Sequence, residues 1–175
     1  MAWLDATGVD GVLIGGVAAS LLGRPRATRD IDALVWLAED RWEQFLASGD
    51  PYGFRPRGSQ ALPFARRSRV LLVRHQPSGL DIDIVLGAIP FEKQVLAERR
   101  IIRIDEVSVA LPSPENLIIM EAVAQRPRDL ADIEGLLDAH PHLDREHVRR
   151  WVRAFSQALE APEILEVLDC LLRRD

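Results

Sequence analysis

Apolar and polar positions follow two different periods along the chain, and the change of period predicts two kinds of structure. In residues 1–111 short runs of apolar positions alternate with polar ones, as in half-buried strands, with a few helical stretches between them. In residues 112–175 the apolar positions recur at helical spacing. The pattern predicts an α/β core over 1–111, followed by a helical bundle over 112–175 that packs on it as one compact unit.

The first part predicts a mixed β-sheet with helices. Its strands are predicted over 9–14, 29–36, 69–75, 80–86, 101–104 and 107–111. Its helices are predicted from Gly15 to about Gly23, over 40–47 and over 91–99. A turn at 76–79 predicts a hairpin between the third and fourth strands. The segment 49–63 is rich in Gly, Pro and Ser and predicts a loop with one short strand.

The second part predicts a series of helices with recognisable starts. Ser113 before a proline is typical of an N-cap, and the helix that it opens is predicted to end near Ala124. Pro127 begins the next helix, Asp144 caps a third, and Pro162 opens the last. Each helix has one apolar stripe, so the helices are expected to bury these stripes against one another or the core.

The composition is that of a folded protein with an acidic balance. Of its 175 residues, 47% are hydrophobic, which is enough for a substantial core and too much for a disordered segment. The formal net charge of −5 argues against a protein that coats nucleic acid electrostatically. Arginine supplies almost all of the positive charge, and its planar fork suits phosphate oxygens, so local anion sites remain compatible with the acidic total.

Nothing in the sequence predicts a membrane or secreted location. No apolar run reaches the roughly 18 residues that a membrane-spanning helix needs. The first residues include an acid and no basic group, which predicts no signal peptide. The single cysteine, Cys170, allows no internal disulfide and is expected to fill the core beside Leu168 and Leu171. We therefore expect a cytoplasmic protein.

A pair of glycines follows the first predicted strand. Gly15 and Gly16 separate this strand from a helix made of small residues. A glycine turn at a helix N-terminus presents backbone N–H groups with no side chain in the way, and such groups bind phosphate. The two glycines predict a phosphate-binding turn.

Aspartates occupy one face of two predicted strands. Asp30 and Asp32 point to the same side of the second strand, and Asp83 or Asp81 lies on one face of the fourth. Aspartate disfavours strands and like charges repel, so a compensating cation is expected. A pair of Mg²⁺ ions would supply it, because magnesium prefers carboxylate and phosphate oxygens. The alternative is that the aspartates lie on an edge strand and face water.

Taken together, these motifs resemble the nucleotidyltransferases of the DNA polymerase β superfamily. Gly15-Gly16, Arg26-x-Thr28 and Asp30-Ile31-Asp32 occur at similar spacing in the AbiEii abortive-infection toxin group, where the resemblance is greatest. The third carboxylate of the family lies on a later strand, and Asp83 is its best match. The segment 117–132, with Arg126 and Arg128, resembles the family's helical segment, and the resemblance covers about residues 9–138.

The resemblance implies a polymerase-β-like nucleotidyltransferase fold. It also implies transfer of a nucleoside monophosphate from a nucleoside triphosphate to an acceptor, with release of pyrophosphate. Asp30 and Asp32 would hold Mg²⁺, or Mn²⁺, with the triphosphate, and Asp83 would complete the metal site and help to activate the nucleophile. Arg26 and Thr28 would line the nucleotide pocket or brace the metal-binding strand. The implied nucleotide-binding residues are Gly15, Gly16, Arg26, Thr28, Arg126 and Arg128.

The acceptor that the resemblance implies is an RNA 3′ end, as in tRNA, or a protein side chain. The AbiEii likeness further implies the toxin of a toxin–antitoxin pair, with a cognate antitoxin as partner. One position departs from the family: Glu121 stands where a lysine is expected to contact phosphate, and a carboxylate there repels the triphosphate. Either Arg126 or Arg128 takes over that role, or the chain is a catalytically degenerate nucleotide-binding or regulatory module of the same fold.

Overall fold

The secondary structure begins with alternating helices and strands and ends with helices alone. The computed structural model describes residues 2–173. The α-helices are α1 (Ala2–Thr7), α2 (Gly15–Leu22), α3 (Trp42–Ala47), α4 (Ala61–Ser68), α5 (Pro90–Ala97), α6 (Pro114–Ala124), α7 (Pro127–Ala139), α8 (Arg145–Ala158) and α9 (Pro162–Leu172). The strands are β1 (Gly11–Ile14), β2 (Asp30–Val35), β3 (Phe54–Pro56), β4 (Val70–His75), β5 (Leu80–Leu86), β6 (Arg100–Ile104) and β7 (Val107–Leu111).

The strands predicted from the alternating pattern are all present, with ends that differ by at most two residues. The short strand predicted in the segment 49–63 is β3. Among the helices, Ser113 and Asp144 act as the predicted N-caps. Ser113 Oγ accepts a hydrogen bond from Asn116 N at 3.2 Å, and Asp144 Oδ1 accepts one from His147 N at 2.9 Å.

Two of the α-helices in residues 2–173 were not predicted. The first, α1, buries Trp3 and Leu4, and the Trp3 ring stacks on Phe45 with ring centroids 4.3 Å apart. The second, α4, starts inside the segment that was predicted as a loop. Its proline, Pro63, lies in the first turn of the helix, where a proline breaks no intrahelical hydrogen bond. Helices this short depend on tertiary packing rather than on a sequence signal.

The main sheet has five strands in the order β1-β2-β5-β4-β3. Only the β2–β5 pair is parallel, so the sheet is mixed, as predicted. One face of its central strands is apolar, with Ile82 7%, Ile84 3% and Leu86 1% exposed. This face packs against the aromatic side chains of α1 and α3, whereas the aspartates of β2 and β5 point to the other face. The strands β6 and β7 form a separate antiparallel hairpin.

The described residues divide into two units. The first comprises the residues up to Ile14 together with Thr28–Leu111, and contains the sheet. The second comprises Gly15–Ala27 and the residues from Pro112 onward, and is helical. Within the second unit α2 packs on α6 and α7, and a Cβ added at Gly23 would lie 3.1 Å from the backbone of Gly135. The division of the sequence at residue 111 therefore stays a prediction, while the contacts group 15–27 with the later helices.

Two sequence expectations concern the surface of the protein. None of the helices in residues 2–173 combines the length and the apolar character needed to cross a bilayer. The expectation that Cys170 fills the core is wrong, because its side chain is exposed. The apolar stripe of α9 is formed by Ile164, Leu168 and Leu171, and Cys170 lies beside that stripe rather than on it.

Candidate active site

The parallel pairing of β2 with β5 brings the aspartates of two sequence-distant strands together. Asp30 lies opposite Asp81, and Asp32 lies opposite Asp83. Residues that are two apart on a strand share a face, so all four carboxylates lie on the same side of the sheet. Each of these residues is partly exposed. The first unit therefore presents a patch of carboxylates on its polar face.

Thr28 supports the start of β2. Its hydroxyl donates a hydrogen bond to Asp30 Oδ1 at 3.0 Å, and also lies 3.2 Å from the backbone oxygen of Asp30. Both contacts tie the Thr28 side chain to the first residue of β2. Of the two roles that the sequence left open for Thr28, the geometry agrees with bracing the strand that carries Asp30 and Asp32.

Two arginines from neighbouring strands reach the carboxylates of β5. Arg74 lies directly opposite Asp81 on β4 and donates to both of its oxygens, from Nε at 2.6 Å and from Nη2 at 3.1 Å. This bonding lowers the pKa of Asp81 and raises the pKa of Arg74. Arg57, just after β3, donates from Nη2 to Asp83, and its Nη1 lies 3.3 Å from Asp81 Oδ2. Its backbone N–H continues the sheet pairing by donating to the oxygen of Leu72.

The donor set of this face suits a divalent cation. Carboxylate oxygens are the hard ligands that Mg²⁺ and Mn²⁺ prefer, and the register holds Asp32 and Asp83 side by side. The oxygens of Asp30, Asp32 and Asp83 do not, however, all approach within 4.8 Å of one another in residues 2–173. Asp30 is bonded to Thr28 and Asp83 to Arg57.

A second group of carboxylates lies within the helical unit. Glu121 of α6 and Asp129 and Asp132 of α7 are buried, at 3%, 1% and 8% exposed, and their oxygens lie within 4.8 Å of one another. Arg26 donates to both oxygens of Asp132, at 2.7 Å from Nε and 2.6 Å from Nη2. These bonds raise the pKa of Arg26. Arg126 donates from Nε to Asp129 at 2.7 Å.

Within this group, the raised pKa of Glu121 favours the protonated form of its side chain near neutral pH. Burial, and after it the negative charge of Asp129, raises the pKa of Glu121 to about 8. The protonated carboxyl donates a hydrogen bond to Asp129, and the two remaining carboxylates face Arg26 and Arg126. The charge of the group is thus compensated by the arginines that pair with Asp129 and Asp132 and by the proton on Glu121. Its spacing would suit a metal ion, but its charge is already compensated by the protein.

The residues predicted to bind nucleotide are of two kinds: glycines that open α2, and arginines that pair with carboxylates. Gly15 has φ of 59°, a left-handed conformation that favours glycine, and it opens α2 with the buried Gly16. Arg26, predicted to line the nucleotide pocket, pairs with Asp132. Arg126 bonds to Asp129, and the Nε of Arg128 lies 3.8 Å from the same carboxylate. These three arginines therefore already have carboxylate partners within the helical unit.

Sequence reasoning missed Arg57 and Arg74. A signal for Arg74 was available, because the predicted hairpin turn at 76–79 sets Arg74 opposite Asp81. Arg57 lies in the segment predicted as a loop, and its only sequence signal is the alternation with Arg55 around a short strand.

Solved structures that share this fold include the following two. One is an antigenic nucleotidyltransferase-like protein from Paracoccidioides brasiliensis, with a TM-score of 0.56 and 17% identity over 95% of this chain and 87% of that chain. The other is the antibiotic-resistance factor ANT(2″)-Ia, with a TM-score of 0.60 and 20% identity over 93% of this chain and 90% of that chain. The chain thus has a nucleotidyltransferase fold. No protein-family model and no curated protein matches it, and the narrower likeness to the AbiEii group stays a prediction.

Proposed function

We propose that the protein is a nucleotidyltransferase that moves a nucleoside monophosphate from a nucleoside triphosphate to an acceptor, with Mg²⁺ or Mn²⁺ as cofactor. The observation that carries the proposal is the register of β2 and β5, which sets Asp32 beside Asp83 on a partly exposed face. Asp30 lies on the same face, two residues before Asp32. A structural role would not call for four aspartates on one sheet face, because like charges on adjacent strands destabilise the pair. The nucleotidyltransferase fold of the chain adds support.

The proposed roles follow from the chemistry of the side chains. Asp30 and Asp32 would hold the cation, with Asp83 as the third ligand. A cation bound there would polarise the phosphoryl oxygens and offset the charge that develops on them. Asp83 would accept the proton of the acceptor hydroxyl as its oxygen forms a bond to the α-phosphorus. The bond from that phosphorus to the bridging oxygen breaks, and pyrophosphate leaves with the electron pair.

The nucleotide-binding role of the remaining residues is also a proposal. The left-handed conformation of Gly15 and the missing side chain of Gly16 are consistent with backbone N–H groups that bind phosphate. Arg26, Arg126 and Arg128 are partly exposed as well as paired, and an arginine can donate to a carboxylate and a phosphate at once.

The acceptor that we propose is an RNA 3′ end or a protein side chain, with the protein acting as a toxin that a cognate antitoxin restrains. This finer assignment is supported by the sequence motifs at Gly15-Gly16 and Asp30-Ile31-Asp32. The fold shared with an antibiotic-resistance factor makes small antibiotic molecules a third class of acceptor to test.

The experiment compares transfer of label from radioactive nucleoside triphosphates by wild type and two variants. Tested acceptors are tRNA, a protein extract and a panel of antibiotics, each with Mg²⁺. Asp83→Asn is expected to lower the rate by at least about 100-fold, since a ligand and proton acceptor is lost. Asp81→Asn, the control on the same strand and face, is expected to stay within about tenfold of wild type. Equal rates for the two variants would contradict the role of Asp83.

A second candidate function is nucleotide binding without turnover. It is favoured by Glu121, which is buried and protonated at the position where the family has a lysine, and by the pairing of Asp83 with Arg57. Calorimetry with a non-hydrolysable nucleoside triphosphate and Mg²⁺ separates the candidates when it is combined with the transfer assay. Binding heat without transfer to any acceptor class supports the second candidate, and transfer supports the first.

A further inference from the structure

The guanidinium of Arg57 forms ion pairs with two carboxylates on the face where we propose a metal ion. Its Nη1 lies 3.3 Å from Asp81 Oδ2, while its Nη2 bonds to Asp83 Oδ1. The side chain of Arg57 is 25% exposed and that of Asp83 is 34% exposed, so water screens this pair only in part. Ion pairs that are partly shielded from water are stronger than fully exposed ones.

The guanidinium approaches Asp83 from the side away from the other proposed ligands. In the sheet order, β5 has β2 on one side and β4, followed by β3, on the other. Asp32, on β2, is therefore the neighbour of Asp83 on one side. Arg57 follows β3 and reaches Asp83 from the other side, past β4. An oxygen that bonds to Arg57 is directed away from Asp32. This direction agrees with the finding that the oxygens of Asp30, Asp32 and Asp83 do not converge.

We propose that Arg57 competes with the divalent cation for Asp83. Without the cation Arg57 neutralises Asp83, and it releases this carboxylate when Asp30, Asp32 and Asp83 act together as ligands. The inference rests on the proposed function, because it takes Asp83 as a ligand. The like charges of Asp32 and Asp83 then always have a positive partner, either the arginine or the cation.

Asp81 provides Arg57 with a second partner after this release. Arg57 already lies 3.3 Å from Asp81, so a small rotation of its side chain keeps one ion pair while Asp83 becomes available. Asp81 can accept hydrogen bonds from both arginines, since a carboxylate has about four lone-pair sites. Arg74 bonds to it from the neighbouring strand β4. Asp81 is thus a holding partner for Arg57 rather than a ligand.

The test measures Mn²⁺ affinity by electron paramagnetic resonance, without nucleotide, on the folded full-length protein. Arg57→Gln is expected to bind Mn²⁺ about 3- to 10-fold more tightly than wild type, because the competing ion pair is gone. Arg55→Gln is the matched control: it removes the same charge two residues earlier, from an arginine that pairs with Asp50 at 2.8 Å. Its affinity is expected to change by less than about twofold. A gain of affinity is a result that damage to the fold does not produce.

Two further variants secure the interpretation. Asp32→Asn is expected to abolish tight Mn²⁺ binding, which assigns the ion to this face. Arg57→Lys keeps the charge but loses the forked geometry, and it is expected to bind Mn²⁺ with an affinity between wild type and Arg57→Gln. It also serves in place of the Gln variant if that variant does not fold.

The competition is overturned if Arg57→Gln, Arg57→Lys and wild type bind Mn²⁺ equally, or if Arg55→Gln gains as much affinity as Arg57→Gln. Either result leaves the proposed metal site intact. Absence of Mn²⁺ binding in wild type and in every variant removes the metal site itself, and with it both the proposed function and the competition.

Discussion

Replacing Glu121 with glutamine is expected to remove most of the pH dependence of the stability of the helical unit. Glutamine has nearly the same shape as the protonated glutamic acid, and its amide can donate the hydrogen bond that Asp129 accepts. The variant therefore keeps the neutral form of the side chain at every pH. Arg26 and Arg126 remain as partners of the other two carboxylates.

The sign of the effect follows from the raised pKa of Glu121. Between the ordinary value of 4.5 and about 8, the folded protein keeps a proton that the unfolded chain releases. The free energy of unfolding of wild type therefore falls as the pH rises through this window. One pKa unit corresponds to about 1.4 kcal/mol, so the full shift sets an upper limit of about 5 kcal/mol. Because the glutamine amide does not match every contact of the protonated acid, we expect a stabilisation of about 2–4 kcal/mol for Glu121→Gln near pH 8 and little change near pH 5.

Urea unfolding followed by circular dichroism, from about pH 5 to about pH 9, measures this difference. Glu163→Gln is the control, because Glu163 is an exposed glutamate on α9 of the same unit. That variant is expected to differ from wild type by less than about 0.5 kcal/mol at each pH. If the curves of Glu121→Gln and wild type stay parallel across the whole range, Glu121 is not protonated in the folded protein and the reasoning fails.

Three further substitutions test other parts of the structure by the same unfolding assay. Gly15→Ala forces a side chain into φ of 59° and is expected to cost about 1 kcal/mol. Arg26→Gln leaves the buried Asp132 without its two-point partner and is expected to cost about 2–3 kcal/mol, of which a second change, Asp132→Asn, should restore at least half. Trp42→Ala removes a side chain that is 1% exposed and donates to the oxygen of Leu37, and it is expected to cost about 3–5 kcal/mol. Costs below 0.5 kcal/mol for any of the three would contradict the packing or pairing described here.

The aspartate face could be predicted from the sequence because its signal is local. Alternation along β2 and β5 places Asp30 with Asp32, and Asp81 with Asp83, whatever the partners of the strands are. The parallel pairing that joins the two strands is not local, since it depends on how the chain returns to the sheet after a long interval. The choice between Asp83 and Asp81 also depends on the arginines that reach β5, which the strand's own pattern does not contain.

The arrangement of Glu121, Asp129 and Asp132 also depends on contacts between elements that no local sequence pattern contains. The sequence placed Glu121 near the end of one helix and Asp129 and Asp132 near the start of the next. Glu121 could equally have faced an arginine across the break between these helices, and it was expected to repel a phosphate. The packing of α6 on α7 brings it against Asp129, and burial outweighs the opposing charge of Arg126, so that the pKa of Glu121 is raised.

Anomalous X-ray diffraction from crystals grown with Mn²⁺ and a non-hydrolysable nucleoside triphosphate tests the central claim most directly. We predict an Mn²⁺ peak within about 2.0–2.3 Å of oxygens of Asp30, Asp32 and Asp83, with the triphosphate beside it and Arg57 on Asp81. A peak at Glu121 and Asp129 instead, or no peak on the aspartate face while Arg57 still binds Asp83, would contradict that claim.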